Sequence, residues 1–508
     1  MKRPLAIVGF TFLFSLFVLC VFENITVTLL LAIVSYILFM ISAVVPKFRK
    51  GYILPTVLFC VFLSCAAFYF MESDYDKLSS LSDTDGEIVC EVVEEPVFNE
   101  TYGRYYCKAR VDTVNSEKYR GNIRLSFNSI YDEINIDDLK IGNTLSFDGH
   151  LYKVGGEEKD IIDYFKSENI YIGTYSIKNL KVTTALVRPI GYYGNELRKF
   201  ISLKFRENFS KDTAGFLTAL LTGDKSYVSD DVYDSFKNSG VAHLMAVSGM
   251  HLAVLVLFIN LFISKLRKKH KKFYFTILAA FILFFMFMAS FSASVVRAGV
   301  MLLVLLTGQL IDKRADSLNS LGFACVCILV VNPFSAMSAG FLLSVLSTLA
   351  IILSAVPFCN RYRYFLSDKL GFSGGVPFFI CRAIMLSLAI SFSVMVYTLP
   401  VMALFFGRIS LISPLANLMF LPVTTIVIIL SFISAILCGF GMMPEILAVA
   451  VEKISAYCLY VSDFLGGTDR FVLKTESPVA IGLCCFVPFF LYLAIKVSSK
   501  LYKKIKPL

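Results

Sequence analysis

Apolar runs about as long as a bilayer is thick leave this chain few folds to choose from. Residues 5–22, 25–45 and 52–71 each come close to the ~20 residues that one helical crossing needs. A second series starts at Val241 and continues nearly to the end. Lipid offers the backbone no hydrogen bonds, so such runs must be helices. Hydrophobic residues make up 57% of the chain and charged residues only 17%, which excludes an ordinary soluble globular protein. The fold class is therefore a polytopic α-helical membrane protein, and the runs predict ten to twelve transmembrane helices in all.

Between the two series lies a stretch of opposite character. Residues 72–188 hold 22 Asp and Glu against 14 Lys and Arg, a net of −8, so the rest of the chain carries +18. Lys2, Arg3 and the basic residues 47–50 read as cytoplasmic by the positive-inside rule. Three spans then put residues 72–195 outside the cell membrane, and the basic tail at 501–508 reads as cytoplasmic too. A signal peptide is the rival reading for residues 1–22. No small-residue cleavage site follows them and a second span begins at once, so a span is expected.

The outer segment alternates β-branched and aromatic residues with polar ones at 87–94, 104–114, 122–127 and 144–152, between Gly, Asn and Asp turns. That pattern predicts an extracellular small β domain, a barrel or sandwich of about five strands. A hairpin turning near 98–99 would set Cys90 opposite Cys107. The outer compartment is oxidising, so a disulfide between them is expected. Residues 196–240 carry apolar positions at helical spacing among Lys and Arg, and read as amphipathic interfacial helices. The expected layout is thus a three-helix segment at 1–71, the β domain at 72–195, the interfacial helices at 196–240 and a multispan domain at 241–508.

Within the last part, 241–264 reads as one helical span that carries His243, Ser248, Gly249 and His251. Arg297 is an obligate cation well inside another span. Polar groups at membrane depth face a pathway or pair with one another. Pro400, Pro414 and Pro422 interrupt a long apolar stretch, as in broken helices that line a cavity. No zinc-like Cys/His spacing and no phosphate-binding GxxxxGK[ST] loop occurs, so no metal and no cofactor is expected.

The second membrane block contains ALLTGDKS (219–226), SGVAHLMAVSGMHLAVL (239–255), SVVRAGVML (294–302), NPFSAMSAGFLLS (332–344) and LPVMALFFGRISLISPLANLMFLP (399–422). In these stretches it resembles the competence domain of ComEC-type DNA-uptake channels. The outer segment is similar to that family's OB-like domain in GNIRLSF (121–127), IGNTLSFDGH (141–150) and KDIIDYFKSENIYIGTY (159–175). Many members continue into a metallo-β-lactamase-like domain, and this sequence has no HxHxDH cluster; the resemblance then leaves three alternatives, a nuclease on a separate chain, uptake without one, or another task for the protein.

The resemblance implies a membrane channel that imports single-stranded DNA in natural transformation. Its partners would be single-stranded DNA, membrane lipid, an outside DNA receptor and a cytoplasmic ATP-driven motor. His243, Ser248, Gly249, His251 and Arg297 are the candidates to line the DNA path. Interhelical hydrogen bonding is the structural alternative for them. In the outer domain Arg104, Lys108, Arg110, Lys118, Arg120 and Arg124 are the candidate phosphate contacts, although its net −8 opposes a polyanion at range. Two other classes stay open. One is a transporter or exporter of a non-nucleic-acid substrate. The other is an intramembrane serine hydrolase built on Ser248 and His251, which lacks an acidic residue in the same run to orient the imidazole.

Overall fold

The structure, a computed structural model, describes residues 3–44, 52–99, 102–128, 134–359, 376–466 and 472–474. The basic residues 47–50 and 361–364, the expected span at 479–497 and the tail at 501–508 lie outside these. Among the described residues, eight helices are long and apolar enough to cross a bilayer, and two further apolar helices are shorter. The protein is a multi-pass membrane protein with an inserted OB-like barrel. The chain divides into two compact units, Met1–Leu197 with Gly322–Ser338, and Arg198–Leu321 with Ala339–Leu508.

The first unit opens with α1 (Pro4–Phe22), α2 (Ile25–Val44) and α3 (Ile53–Ser79). α3 runs well past residue 71, so the β domain begins later than its charge suggested. The barrel consists of β1 (Asp85–Asn99), β2 (Arg104–Val114), the short β3 (Glu117–Lys118), β4 (Asn122–Phe127), β5 (Thr144–Tyr152) and β6 (Ile170–Thr183). Between the last two lies helix α4 (Lys159–Ser167). Strand order is β1-β5-β6-β4-β2, closed by β1 on β2, with β3 added at the edge of β2. All pairs are antiparallel except β4 with β6. Closure removes the free sheet edges. Alternate residues fill the interior: Ile88, Cys90 and Val92 from β1, Ala109 from β2, Ile123, Leu125 and Phe127 from β4, Leu145 and Phe147 from β5.

The β1–β2 hairpin corrects the expected disulfide. Asn99 pairs with Arg104, so the turn comes about three residues later than 98–99. With the bulges between Val92 and Val97, Cys90 faces Val111, and the Cys107 thiol donates to the Glu94 carbonyl at 3.1 Å. Both cysteines are buried and free. Burial pushes both thiols up, which keeps them neutral and unreactive.

Residues from Gly322 onward complete the first unit. They belong to α11 (Ser317–Val331) and to a 3-10 turn, Pro333–Met337. α1 and α11 cross so closely that a Cβ on Gly9 would overlap the Gly322 backbone, and a Cβ on Gly322 would overlap the backbone of Leu5 and Ala6. Small residues at such crossings let membrane helices approach and gain dispersion contacts. Replacing Gly322 by leucine is expected to separate the two helices. The cost is on the order of 1–3 kcal/mol of overpacking, read as a lower midpoint of thermal unfolding in detergent.

The second unit starts with α5 (Ile190–Asn208, from Arg198), α6 (Lys211–Thr222) and α7 (Asp230–Asn238). α6 was expected to lie at the membrane interface. Instead it is a core helix, with every residue from Thr213 to Thr222 buried. Its Phe216 meets Phe236 of α7, which in turn meets Phe420. The shorter apolar helix α8 (Gly249–Ile263) follows, then the spans α9 (Lys271–Met288), α10 (Ala293–Leu310), α12 (Ala339–Ala350, continued to Cys359), α13 (Val376–Val401) and α14 (Ser413–Gly439), and α15 (Glu445–Gly466) comes after them. α12 passes into a π-helical turn at Ile351–Ala355. α13 contains Pro400 and passes into another at Met402–Phe406, which stops at left-handed Gly407. Strand β7 (Arg408–Ser410) then pairs with β8 (Val472–Lys474). Pro414 opens α14, whereas Pro422 lies inside it, so two of the three prolines bracket the break.

Candidate functional site

The run at 241–264 is not one helix, which corrects the expected span. Ala242–Met245 form a single 3-10 turn, Ala246 is extended, and α8 begins only at Gly249. With 15 residues α8 is about 22 Å long, short of the ~30 Å hydrocarbon core. The helix begins where it does because Ser248 and His251 form a reciprocal N-terminal cap. The Ser248 hydroxyl accepts from the His251 amide, and His251 Nδ1 accepts from the Ser248 amide at 3.0 Å. The two side chains also meet, Oγ to Nδ1, at 2.8 Å. Three-residue spacing thus brings them together, but as a cap rather than as neighbours along a helix face.

This geometry fixes the imidazole. Nδ1 is an acceptor, so the ring proton sits on Nε2. His251 is 0% exposed, and Nε2 has no hydrogen-bond partner. An unmade bond to a buried donor costs about 1–3 kcal/mol. His243 lies in the 3-10 turn, hydrogen-bonded to the Gly240 backbone, and not on the helix that carries His251. It is exposed while its neighbours Val241, Leu244 and Met245 are fully buried. Ser248 is half-buried.

Gly249, the first residue of α8, is where α10 comes closest. A Cβ there would lie 2.8 Å from that of Ala298 and 3.2 Å from Arg297 Nη2. Arg297, 8% exposed, therefore holds its guanidinium against the start of α8, next to the cap. A helix N-terminus already favours negative charge through its free amides and dipole. Ser248, Gly249, His251 and Arg297 thus form one group, joined through the approach of α10 to α8.

Other segments of the second unit meet by packing that no spacing rule predicts. Left-handed Gly223, which ends α6, packs on Val247. Left-handed Gly240 sits between Ser410 and Ser413, which donate to the carbonyls of Asn238 and Gly240 at 2.9 and 3.2 Å. Ser294 of α10 bonds Ser344 of α12 at 3.0 Å. Glu452 of α15 takes the hydroxyls of Ser210 and Thr213 at the start of α6. An acidic residue inside an apolar helix was the signal that could have pointed to Glu452.

In the barrel the basic candidates separate. Lys108 is paired to Glu94 and Glu168, and Arg110 to Glu91. Arg124 stacks on Tyr106 at 3.7 Å and faces Phe165 at 5.0 Å, while Arg104 bonds the Ser126 hydroxyl. Lys118 and Arg120 are exposed.

Comparison with known proteins now bears on these motifs. The Competence protein family model matches residues 220–500, more than half of the chain. The chain belongs to this family. A 162-residue stretch is 31% identical to ComE operon protein 3 of Bacillus subtilis (strain 168). The match spans 31% of this chain and 20% of that protein, so the chain covers about a fifth of its relative. No solved structure matches. The matched segment includes Gly223, Gly240, the cap, Arg297 and Glu452, while Ser210 and Thr213 lie before it.

Proposed function

We propose that the competence segment forms the path by which a single DNA strand crosses the cell membrane during natural transformation. The reading rests on one observation above all. A buried guanidinium and a buried imidazole N–H without an acceptor converge at the N-terminus of α8. Three donor types that suit phosphate oxygen meet there, namely a fork of guanidinium N–H groups, an imidazole N–H and free helix amides. His243, exposed one turn before, extends the polar lining. The family and its Bacillus relative support a role in competence.

In this reading both termini are cytoplasmic and the barrel faces outward. Lys118, Arg120, Arg104 and Arg124 remain its phosphate contacts, because Lys108 and Arg110 are held by carboxylates. An outside receptor delivers the DNA and a cytoplasmic ATP-driven motor draws it in. The Ser248–His251 contact has nucleophile-to-base distance, but capping accounts for it and Nε2 has no carboxylate to orient it. A non-enzymatic channel is therefore preferred to a hydrolase. The test is deletion of the gene with measurement of labelled DNA reaching the cytoplasm. Import is lost and is restored by the wild-type gene. Undiminished import in the deletion strain would sink the reading and favour a transporter of another substrate.

A further inference from the structure

The first unit contains a charged cluster that DNA passage does not use. It lies where α4 of the barrel meets the ends of α1 and α3. Lys166, 6% exposed, reaches Glu72 Oε1 at 2.9 Å and Glu23 Oε1 at 3.5 Å. Its ammonium also lies 3.9 Å from the Tyr75 ring centre and faces Phe334. Lys159 approaches Glu23 Oε2 at 3.8 Å and donates to the Val21 carbonyl at 3.1 Å. Asp163 is hydrogen-bonded to the Glu23 side chain. A cavity of about 10 Å³ sits among Cys20, Glu23, Phe68, Glu72, Asp163 and Lys166. Into it points Glu72, 7% exposed, whose Oε2 has no hydrogen-bond partner.

Two features of this group demand a bound species. Two carboxylates cannot share a hydrogen bond unless one of them holds a proton. A cavity of this size holds about one water, and a buried carboxylate oxygen without a donor is the group such a water would satisfy. With one proton, the three carboxylates and two ammonium groups balance to neutrality. Without it the cluster carries one net negative charge at a buried joint. Glu23 is partly open and gives the proton its way in and out.

We infer that Glu23 and Asp163 share one proton, with a water on Glu72 Oε2, and that this proton fastens helix α4 of the barrel to α1 and α3. Glu23, Lys159 and Lys166 act on Asp163, and Cys20 and Glu72 line the same cavity with Phe334 and Met337 of the turn. Around Glu72 on α3 stand Tyr75 beside Lys166, Tyr171 of β6, and Asp76, which is exposed. Burial first, and then Glu23, push Asp163 up from 3.8 to about 6. Burial opposes the charge on Lys166, but Glu72 outweighs it and Lys166 is raised, so it stays charged throughout. A raised folded value means the proton is bound more tightly when α4 is docked. The fastening is complete below 3.8 and is lost as pH rises through about 6.

The test is amide hydrogen exchange across α4 in the full-length protein in lipid nanodiscs, from about pH 4 to about pH 8, corrected for intrinsic exchange. In the wild type, protection of α4 should fall by up to roughly 100-fold across the transition, since two pKa units correspond to that factor. Asp163→Asn, which keeps the shape and a donor for Glu23, should remain protected at every pH. Difference infrared spectra should show a protonated carboxyl that titrates in the wild type and is missing in Asp163→Asn and in Glu23→Gln. Protection that does not change with pH in the wild type, or that changes equally in Asp163→Asn, would overturn the inference. So would the absence of a titrating carboxyl band. None of these readouts depends on DNA transport, so the inference and the proposed function can fail separately.

Discussion

With Arg297 replaced by alanine, DNA import falls by roughly 100-fold while the protein still reaches the membrane in normal amount. The magnitude follows from the chemistry of the group. A charge-assisted hydrogen bond is worth about 1.5–3 kcal/mol, and each 1.4 kcal/mol is about a factor of ten. Arg297 is buried against Gly249 at the start of α8, so no neighbouring cation on that helix replaces it. Arg297→Lys restores the charge without the planar fork, so import should recover only in part. The measurement is uptake of labelled DNA in the complemented deletion strain, with membrane levels checked by immunoblot. Wild-type import by Arg297→Ala would remove the guanidinium from the path.

The second large effect is expected at Gly249. Its Cα faces Ala298, with room for no side chain: a Cβ would meet the Ala298 Cβ at 2.8 Å and Arg297 Nη2 at 3.2 Å. Alanine should already displace the guanidinium by a few tenths of an ångström and lower import severalfold. Valine adds two methyl groups, must push α10 away, and should cost about 1–3 kcal/mol of stability together with nearly all import. The pair of variants separates position from fold. Gly249→Ala, read by uptake together with the thermal midpoint, should lose import while keeping most of its stability. If Gly249→Ala imports DNA normally, the close seat of Arg297 on α8 has no functional role.

The contrast between the two histidines shows how far spacing carries an argument. Ser248 and His251 were brought together correctly by a three-residue interval, because both a helix face and a helix cap use that interval. Reading 241–264 as one span puts His243 on the same helix. It lies instead in a separate 3-10 turn, because helical periodicity says nothing about where a helix starts. The start is set by the cap, and the cap is a choice between two hydrogen-bonding states that apolar composition does not bias. The same limit applies to Cys90 and Cys107. Alternation identified their strands, but the pairing depends on the turn, and a shift of three residues there, with the bulges between Val92 and Val97, set Cys90 opposite Val111. Helix α4, which carries Asp163 and Lys166, went unread as an element because nine mostly polar residues give no span and no strand pattern.

What the sequence determined by itself was everything that follows from local chemistry. Runs of apolar residues must become membrane helices because the lipid leaves the backbone no other partner, and strict alternation must become a half-buried strand. The competence motifs were legible as text for the same reason, as short strings of fixed residue type. Tertiary structure alone decided which of those strings meet. Gly249 under Arg297, Gly240 between two serines, Gly9 on Gly322 and Lys166 between Glu23 and Glu72 all join positions tens to hundreds of residues apart. Contacts of that kind depend on close packing in three dimensions, where a single missing Cβ admits or excludes a neighbouring helix.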